Sequence, residues 1–143
     1  MPAFKGSDFE IQLPDEFSDE STYAFAFRAR SNFRPSVAVK TERLAEPLEL
    51  ATYVAQQLER IRSLLQDVSV VSSGPEKHEG LTAYGSVYDW GEATRRVRQR
   101  QHYILLNEPL RVVTLTGTGL RESFAEAEAL FNAIFHSFKP AKQ

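Results

Sequence analysis

The chain has 143 residues, 42% hydrophobic and 25% charged, which suits one globular domain with a core of its own and not a disordered segment. Its formal net charge of −2 at pH 7 gives it no overall attraction for nucleic acid or acidic membranes. It contains no Cys, which excludes disulfides, thiolate catalysis, Cys-ligated metal and lipid attachment through that residue.

The opening stretch MPAFKGSDFEIQLPDEF lacks the apolar run of a signal peptide. No run approaches the roughly 18 apolar residues that a membrane-spanning helix needs. The expectation is a cytoplasmic protein forming a single domain over 1–143, with 1–8 a loose lead-in. Phe9, Ile11 and Leu13 alternate with Glu10 and Gln12 as a first short strand, which Pro14-Asp15-Glu16 stops. Ser21–Arg30 is predicted as a second strand, with large Tyr23, Phe25 and Phe27 on one face and small Thr22, Ala24 and Ala26 on the other. After a turn, Ser36–Thr41 repeats the asymmetry, Val37 and Val39 against Ser36, Ala38 and Lys40. The bulky face is expected to take the domain's own helices. The small face would let another element approach the backbone closely.

Pro47 suits a helix start, and Leu50, Tyr53, Val54, Leu58 and Ile61 recur at helical spacing, predicting a helix over about 48–65. Val68–Ser72 reads as a short strand, and Gly74-Pro75 and Gly80 as a turn-rich link. Leu81–Trp90 is the next strand, with Tyr84, Tyr88 and Trp90 on one side, and Gly91-Glu92 turns it into a long hairpin. The arms of that hairpin are Arg95–Leu106 and Arg111–Thr118, joined by Asn107-Glu108-Pro109-Leu110. In the first arm Gln99, Gln101, Tyr103 and Leu105 share one face, and Arg98, Arg100, His102, Ile104 and Leu106 the other. Gly117-Thr118-Gly119 is read as easing a strand-to-helix turn. Ser123 and Glu126 fit a capping box, followed by the largely aromatic stripe Phe124, Ala127, Leu130, Phe131, Ile134, Phe135 and Phe138 of a last helix that Pro140 ends. The fold class is α+β: a mostly antiparallel sheet flanked by two main helices.

Chemistry is sparse. His78 is placed in a loop and His136 off the apolar stripe, both expected in solvent, and no metal spacing joins the three histidines. There is no Gly-x-Ser-x-Gly elbow and no nucleophile–base pair, so no catalytic residue, metal or cofactor is assigned and an enzyme is not expected. Arg95, Arg96, Arg98 and Arg100 form a basic patch, but Asp89 and Glu92 lie beside it and nucleic acid is not the expected partner. What remains is a binding surface on the small face of the sheet: Thr22, Ala24, Ala26, Ala38, Gln99, Gln101, Tyr103, Thr114 and Thr116. The competing reading makes this the ordinary solvent face of a half-wetted sheet. A solvent face usually carries Lys and Glu, and this one carries few.

Several stretches resemble the DcrB-like domain family: Phe9-Glu10-Ile11-Gln12-Leu13-Pro14-Asp15, Thr52 to Glu59, Tyr88-Asp89-Trp90, Arg100-Gln101-His102-Tyr103-Ile104 and Val113-Thr114-Leu115-Thr116. Within that family they look most like the Eag chaperones of type VI secretion. The resemblance covers about 9–140 and implies a PsbP-like fold. It also implies a cytoplasmic, dimeric chaperone that binds the N-terminal transmembrane segments of a secreted effector in a hydrophobic groove and helps load the effector onto the VgrG spike. Gln101, on the Arg-Gln-aromatic strand, is the leading groove residue that the resemblance implies; Thr22, Ala24 and Ala38 match groove-facing positions. The alternative is a ligand- or protein-binding module of the same fold with no role in secretion.

Overall fold

The computed structural model describes residues 3–5, 10–12, 22–26 and 35–140. Ala3–Lys5 (β1) and Glu10–Gln12 (β2) pair in a small antiparallel sheet. The main sheet has six antiparallel strands: Thr22–Ala26 (β3), Ser36–Arg43 (β4), Ser69–His78 (β5), Leu81–Trp90 (β6), Val97–Asn107 (β7) and Leu110–Leu120 (β8). Their spatial order is β3-β4-β8-β7-β6-β5, so the long hairpin of β7 and β8 is central and β3 and β5 are the edges. The first predicted strand falls partly, and Phe27 wholly, outside the described residues.

The helix Phe124–His136 (α2) lies on one face. Phe124, Phe131 and Phe135 are buried there with Val37, Ile104, Leu106, Val113 and Leu115. Leu130, counted on the predicted stripe, is instead 47% exposed. The glycines of β8 make this packing possible. An ideal Cβ at Gly117 would lie 2.8 Å from the Phe131 ring, and one at Gly119 would lie 3.4 Å from Phe124. Gly117 and Gly119 therefore sit inside the strand, not in a strand-to-helix turn; they leave the backbone bare for two aromatic rings. The expected capping box does not form. The chain enters α2 through a single 3-10 turn, Arg121–Ser123, and Ser123 makes no side-chain cap hydrogen bond.

The helix Leu50–Leu64 (α1) starts three residues after Pro47 and carries Leu50, Tyr53, Val54 and Leu58 on its buried side. These pack with Tyr88, Tyr103 and Val112 on the opposite face of the sheet from α2. The expectation that the bulky face takes the helices thus holds for α2, while α1 covers part of the other face. The reason is local: on β6 and on the adjoining end of β7 the bulky residues, Tyr84, Tyr88, Trp90 and Tyr103, alternate with the opposite parity to Val37 and Val39 of β4.

β5 runs unbroken from Ser69 to His78, through Gly74-Pro75, where a turn was expected. An edge strand tolerates Pro, because one side of its backbone has no ladder to lose. Of the predicted link only the Gly80 end turns: Glu79 and Gly80 both have positive φ, 33° and 78°. This brings His78 into the structure at 4% exposure, against the expectation of a solvated loop. His136 is exposed, as expected.

Arg96, Arg98 and Arg100 of the basic patch are drawn inward, while Arg95 is exposed. Arg98 donates to both carboxylate oxygens of the buried Asp89, at 2.7 and 3.1 Å. Arg100 donates to Glu76 at 3.2 Å, and Arg96 to the carbonyls of Asp67 and Gly91 at 2.7 and 2.8 Å. Such paired, partly buried guanidiniums serve the fold first.

Truncating the ring that rests on β8 should be severe. Phe131→Ala is expected to cost about 3–5 kcal/mol in urea denaturation. Gly117→Ala should cost about 1–3 kcal/mol, because the added methyl meets that ring and not solvent. A wild-type midpoint for either variant would show that α2 is not held by this contact.

Candidate binding surface

Paired residues of an antiparallel ladder share a face, and the register aligns the sequence-predicted residues in three adjacent rows. The first row runs Gln99, Thr118, Ser36, Ala26 across β7, β8, β4 and β3. The second runs Gln101, Thr116, Ala38, Ala24, and the third Tyr103, Thr114, Lys40, Thr22. All nine candidates fall in this block. For Thr22 and Ala26 only the register position is described.

The block divides in two. Tyr103 is 1% exposed beneath α1, its ring edge-on to Tyr53 with centroids 6.1 Å apart. It is core, not open surface, because α1 needs an aromatic floor at the row where Tyr84 and Tyr103 pair. The apolar cluster under α1 extends to Val112 and stops. Beyond it Ala38, Thr114, Thr116 and Thr118 are half-buried and Ala24 is exposed. This strip forms a shelf beside α1. Lys40 and Glu42 are the charged residues that β4, β7 and β8 contribute to this face.

Hydrogen bonds cross from the covered half to the shelf. Trp90 Nε1 donates to Gln99 Oε1 at 3.0 Å, and Gln99 Nε2 donates to Thr118 Oγ1 at 3.0 Å. One row along, the Tyr103 hydroxyl donates to Gln101 Oε1, and Gln101 Nε2 to Thr116 Oγ1 at 3.4 Å. Each Gln thus ties an aromatic at the α1 side to a Thr on the shelf. Each Thr hydroxyl still has its own hydrogen to donate. At the third row Tyr53 of α1 meets Glu42 and Thr114; burial first, then the Glu42 carboxylate, pushes its hydroxyl up to about 12. Burial likewise raises the Tyr103 and Tyr88 hydroxyls, so all three remain donors at any physiological pH. The sequence reading missed Trp90, Thr118, Tyr53 and Glu42 as parts of this ladder. For Trp90 and Thr118 a signal was available within their own strands: Trp90 alternates in step with Tyr84 and Tyr88, and Thr118 with Thr114 and Thr116.

An antiparallel sheet with one helix on each face, leaving a shelf of small residues and hydroxyls with few charges, is a PsbP-like α+β fold. The chain belongs to the DcrB family, whose profile matches residues 9–137. No curated protein matches. Among solved structures it is similar to the Pseudomonas aeruginosa protein PA94, of unknown function and described as a candidate regulator, at 20% identity and TM-score 0.77, over 100% of this chain and 99% of that one. It is also similar to cyanobacterial PsbP from Synechocystis, at 11% identity and TM-score 0.56 over 98% and 92% of the two chains. The Ran-binding protein Mog1p of Saccharomyces cerevisiae is similar at 12% identity and TM-score 0.55 over 82% and 70%. At these identities the likeness establishes the fold. No enzyme family is indicated, and among the described residues no helix is long and apolar enough to cross a membrane.

The ladder predicts a coupled pair of substitutions. Gln101→Leu orphans the buried Tyr103 hydroxyl and should cost about 1–3 kcal/mol. Adding Tyr103→Phe to it removes the orphan and should recover most of that loss. Equal denaturation midpoints for the single and double variants would show that Gln101 does not satisfy Tyr103.

Proposed function

We propose that the shelf holds a hydrophobic segment of another protein, and that this chain is a non-enzymatic cytoplasmic chaperone for the N-terminal transmembrane segments of a secreted effector. The observation that carries this reading is the alignment of Ala24, Ala38, Thr116 and Gln101 in one row across four strands, beside α1 and free of charge. Small residues let a helix come close to the sheet backbone, as they do between helices in membranes. The Thr hydroxyls and Gln amides supply partners for polar groups on the client, which would otherwise be buried unsatisfied at about 1–3 kcal/mol each. α1 stands beside the shelf on the same face of the sheet, so a bound rod would lie next to it in the same layer. An exposed transmembrane segment aggregates in water, and this surface would shield one flank.

The likeness to the Eag chaperones extends the proposal to an adaptor that presents its effector to the VgrG spike, acting as a homodimer whose two shelves would enclose the segment. The second reading, a ligand-binding module without secretion, is favoured by one feature. An apolar cleft of about 590 Å³ lies at the start of α1, lined by Leu48, Leu50, Ala51, Tyr84 and Leu105. It is of the size that small-molecule sites take.

The test is co-expression with a soluble carrier bearing an apolar helical segment of about 20 residues, the span of a bilayer. The chain is expected to keep the carrier soluble and to co-purify with it. Ala38→Phe, which fills the middle row, should abolish co-purification while the melting temperature stays within a few degrees of wild type. Retention of the carrier by this variant, or aggregation of the carrier despite the wild-type chain, would overturn the proposal. Selective binding of a small apolar ligand, lost on Leu48→Glu, would favour the second reading.

A further inference from the structure

On the opposite side of β7 from the shelf, a line of polar groups runs from the edge strand to the end of α2. Glu76 of β5 reaches across Gly85 of β6, its Oε1 occupying the space that a Cβ at that glycine would take. Glu76 Oε1 lies 3.3 Å from His102 Nδ1 on β7, and Oε2 accepts from Arg100 at 3.2 Å. The Nδ1 contact is an ion-pair approach and not an aligned hydrogen bond, and His102 Nδ1 has no other partner. His102 Nε2 lies 3.1 Å from His78 Nδ1, and His78 Nε2 lies 2.8 Å from the Phe138 carbonyl oxygen. The two rings are 1% and 4% exposed. Their hydrogens must therefore be matched within the chain.

The count of hydrogens follows by elimination. A carbonyl oxygen only accepts, so His78 carries a hydrogen on Nε2. The ring-to-ring contact needs one hydrogen, supplied by either ring. The Glu76 contact needs one on His102 Nδ1, since a bare lone pair there would face a carboxylate oxygen inside the protein. With the Glu76 carboxyl ionised against Arg100, three contacts require three ring hydrogens, and two neutral imidazoles carry two. The geometry points to a third ring hydrogen, an added proton, held by the His78–His102 pair against Glu76 as a structural part of the fold. It ties edge strand β5 across β6 to the centre of the sheet and onward to the residue two places beyond α2.

The surroundings accommodate that charge. Burial alone would raise the Glu76 carboxyl, but the close approach of His102 and then of the Arg100 guanidinium holds it below the usual carboxylate range. Phe135 of α2 stacks on His102 at 6.0 Å with planes 11° apart. From α2, His136 also faces the pair, 6.5 Å from His78 and 6.4 Å from His102 between centroids, and Glu128 lines the same cleft as Glu76 and Arg100. Opposite His102, β6 presents Gly85 and β8 presents Leu115. Losing the added proton as pH rises sets a lone pair against the carboxylate and loosens β5. An opening that releases one proton grows at most tenfold per pH unit. This inference does not depend on the client proposed above.

The experiment uses the whole chain. Long-range ¹H–¹⁵N spectra of its imidazoles near pH 6.5 should show three of the four ring nitrogens of His78 and His102 bearing hydrogen; two would overturn the inference. Glu76→Gln supplies the control, because a carboxamide N–H can donate to a neutral His102 Nδ1. Its rings should show two hydrogens. Amide protection over 69–78 should fall with rising pH in the wild type, by up to tenfold per unit, and stay level in the variant. Equal slopes in both proteins would also overturn the inference. If the variant does not fold, the wild-type ring count followed from pH 6 to pH 9 decides alone.

Discussion

The ring of Phe131 lies against the bare backbone of Gly117, closer than any side chain would permit. That contact sets the parity of β8. With Gly117 and Gly119 turned toward α2, Thr114, Thr116 and Thr118 must face the other way. The ladders then carry the same parity to Gln99 and Gln101 on β7 and to Ala38 on β4. A slip of one residue would send the glycines to the shelf and the threonines into an aromatic core, so the packing of α2 governs what the opposite face displays.

On that opposite face α1 uses only part of the width. It covers the aromatic floor of β6 and β7 and stops at Val112 of β8. Its cover is linked to the shelf by Trp90–Gln99–Thr118 and Tyr103–Gln101–Thr116, so the polar groups at the boundary are satisfied before any partner arrives. A surface arranged in this way can be half-covered without an energetic penalty, and its threonines still present donors outward. It is on this basis that we propose a docked hydrophobic segment for the shelf.

Charge is distributed unequally between the two faces. The α2 side holds the paired groups, Arg98 with Asp89 and Arg100 with Glu76, and the His78–His102 line. A buried charge is tolerated only when paired and hydrogen-bonded. Concentrating such pairs behind β7 leaves its front to Gln and Tyr. The same strand therefore provides a polar tie on one side and a nearly uncharged surface on the other.

Alternation along the strands, helical spacing and the absence of Cys are local properties, and from them alone the sequence determined the α+β class, a mostly antiparallel sheet with two main helices, in outline; the count of six strands in the main sheet and their order came from the structure. Within single strands it also grouped Gln99 with Gln101, Thr114 with Thr116 and Thr22 with Ala24, because residues two apart on a strand share a face; that these groups meet on one face across four strands was decided by the register. The sequence did not disclose that α1 would bury Tyr103, that Gly117 and Gly119 seat phenylalanine rings, or that β5 passes through Pro75 to bring His78 against His102. Each of those depends on residues far apart in the chain meeting across a ladder or under a helix. Register and packing settle such meetings, and neither is a property of any single stretch of sequence.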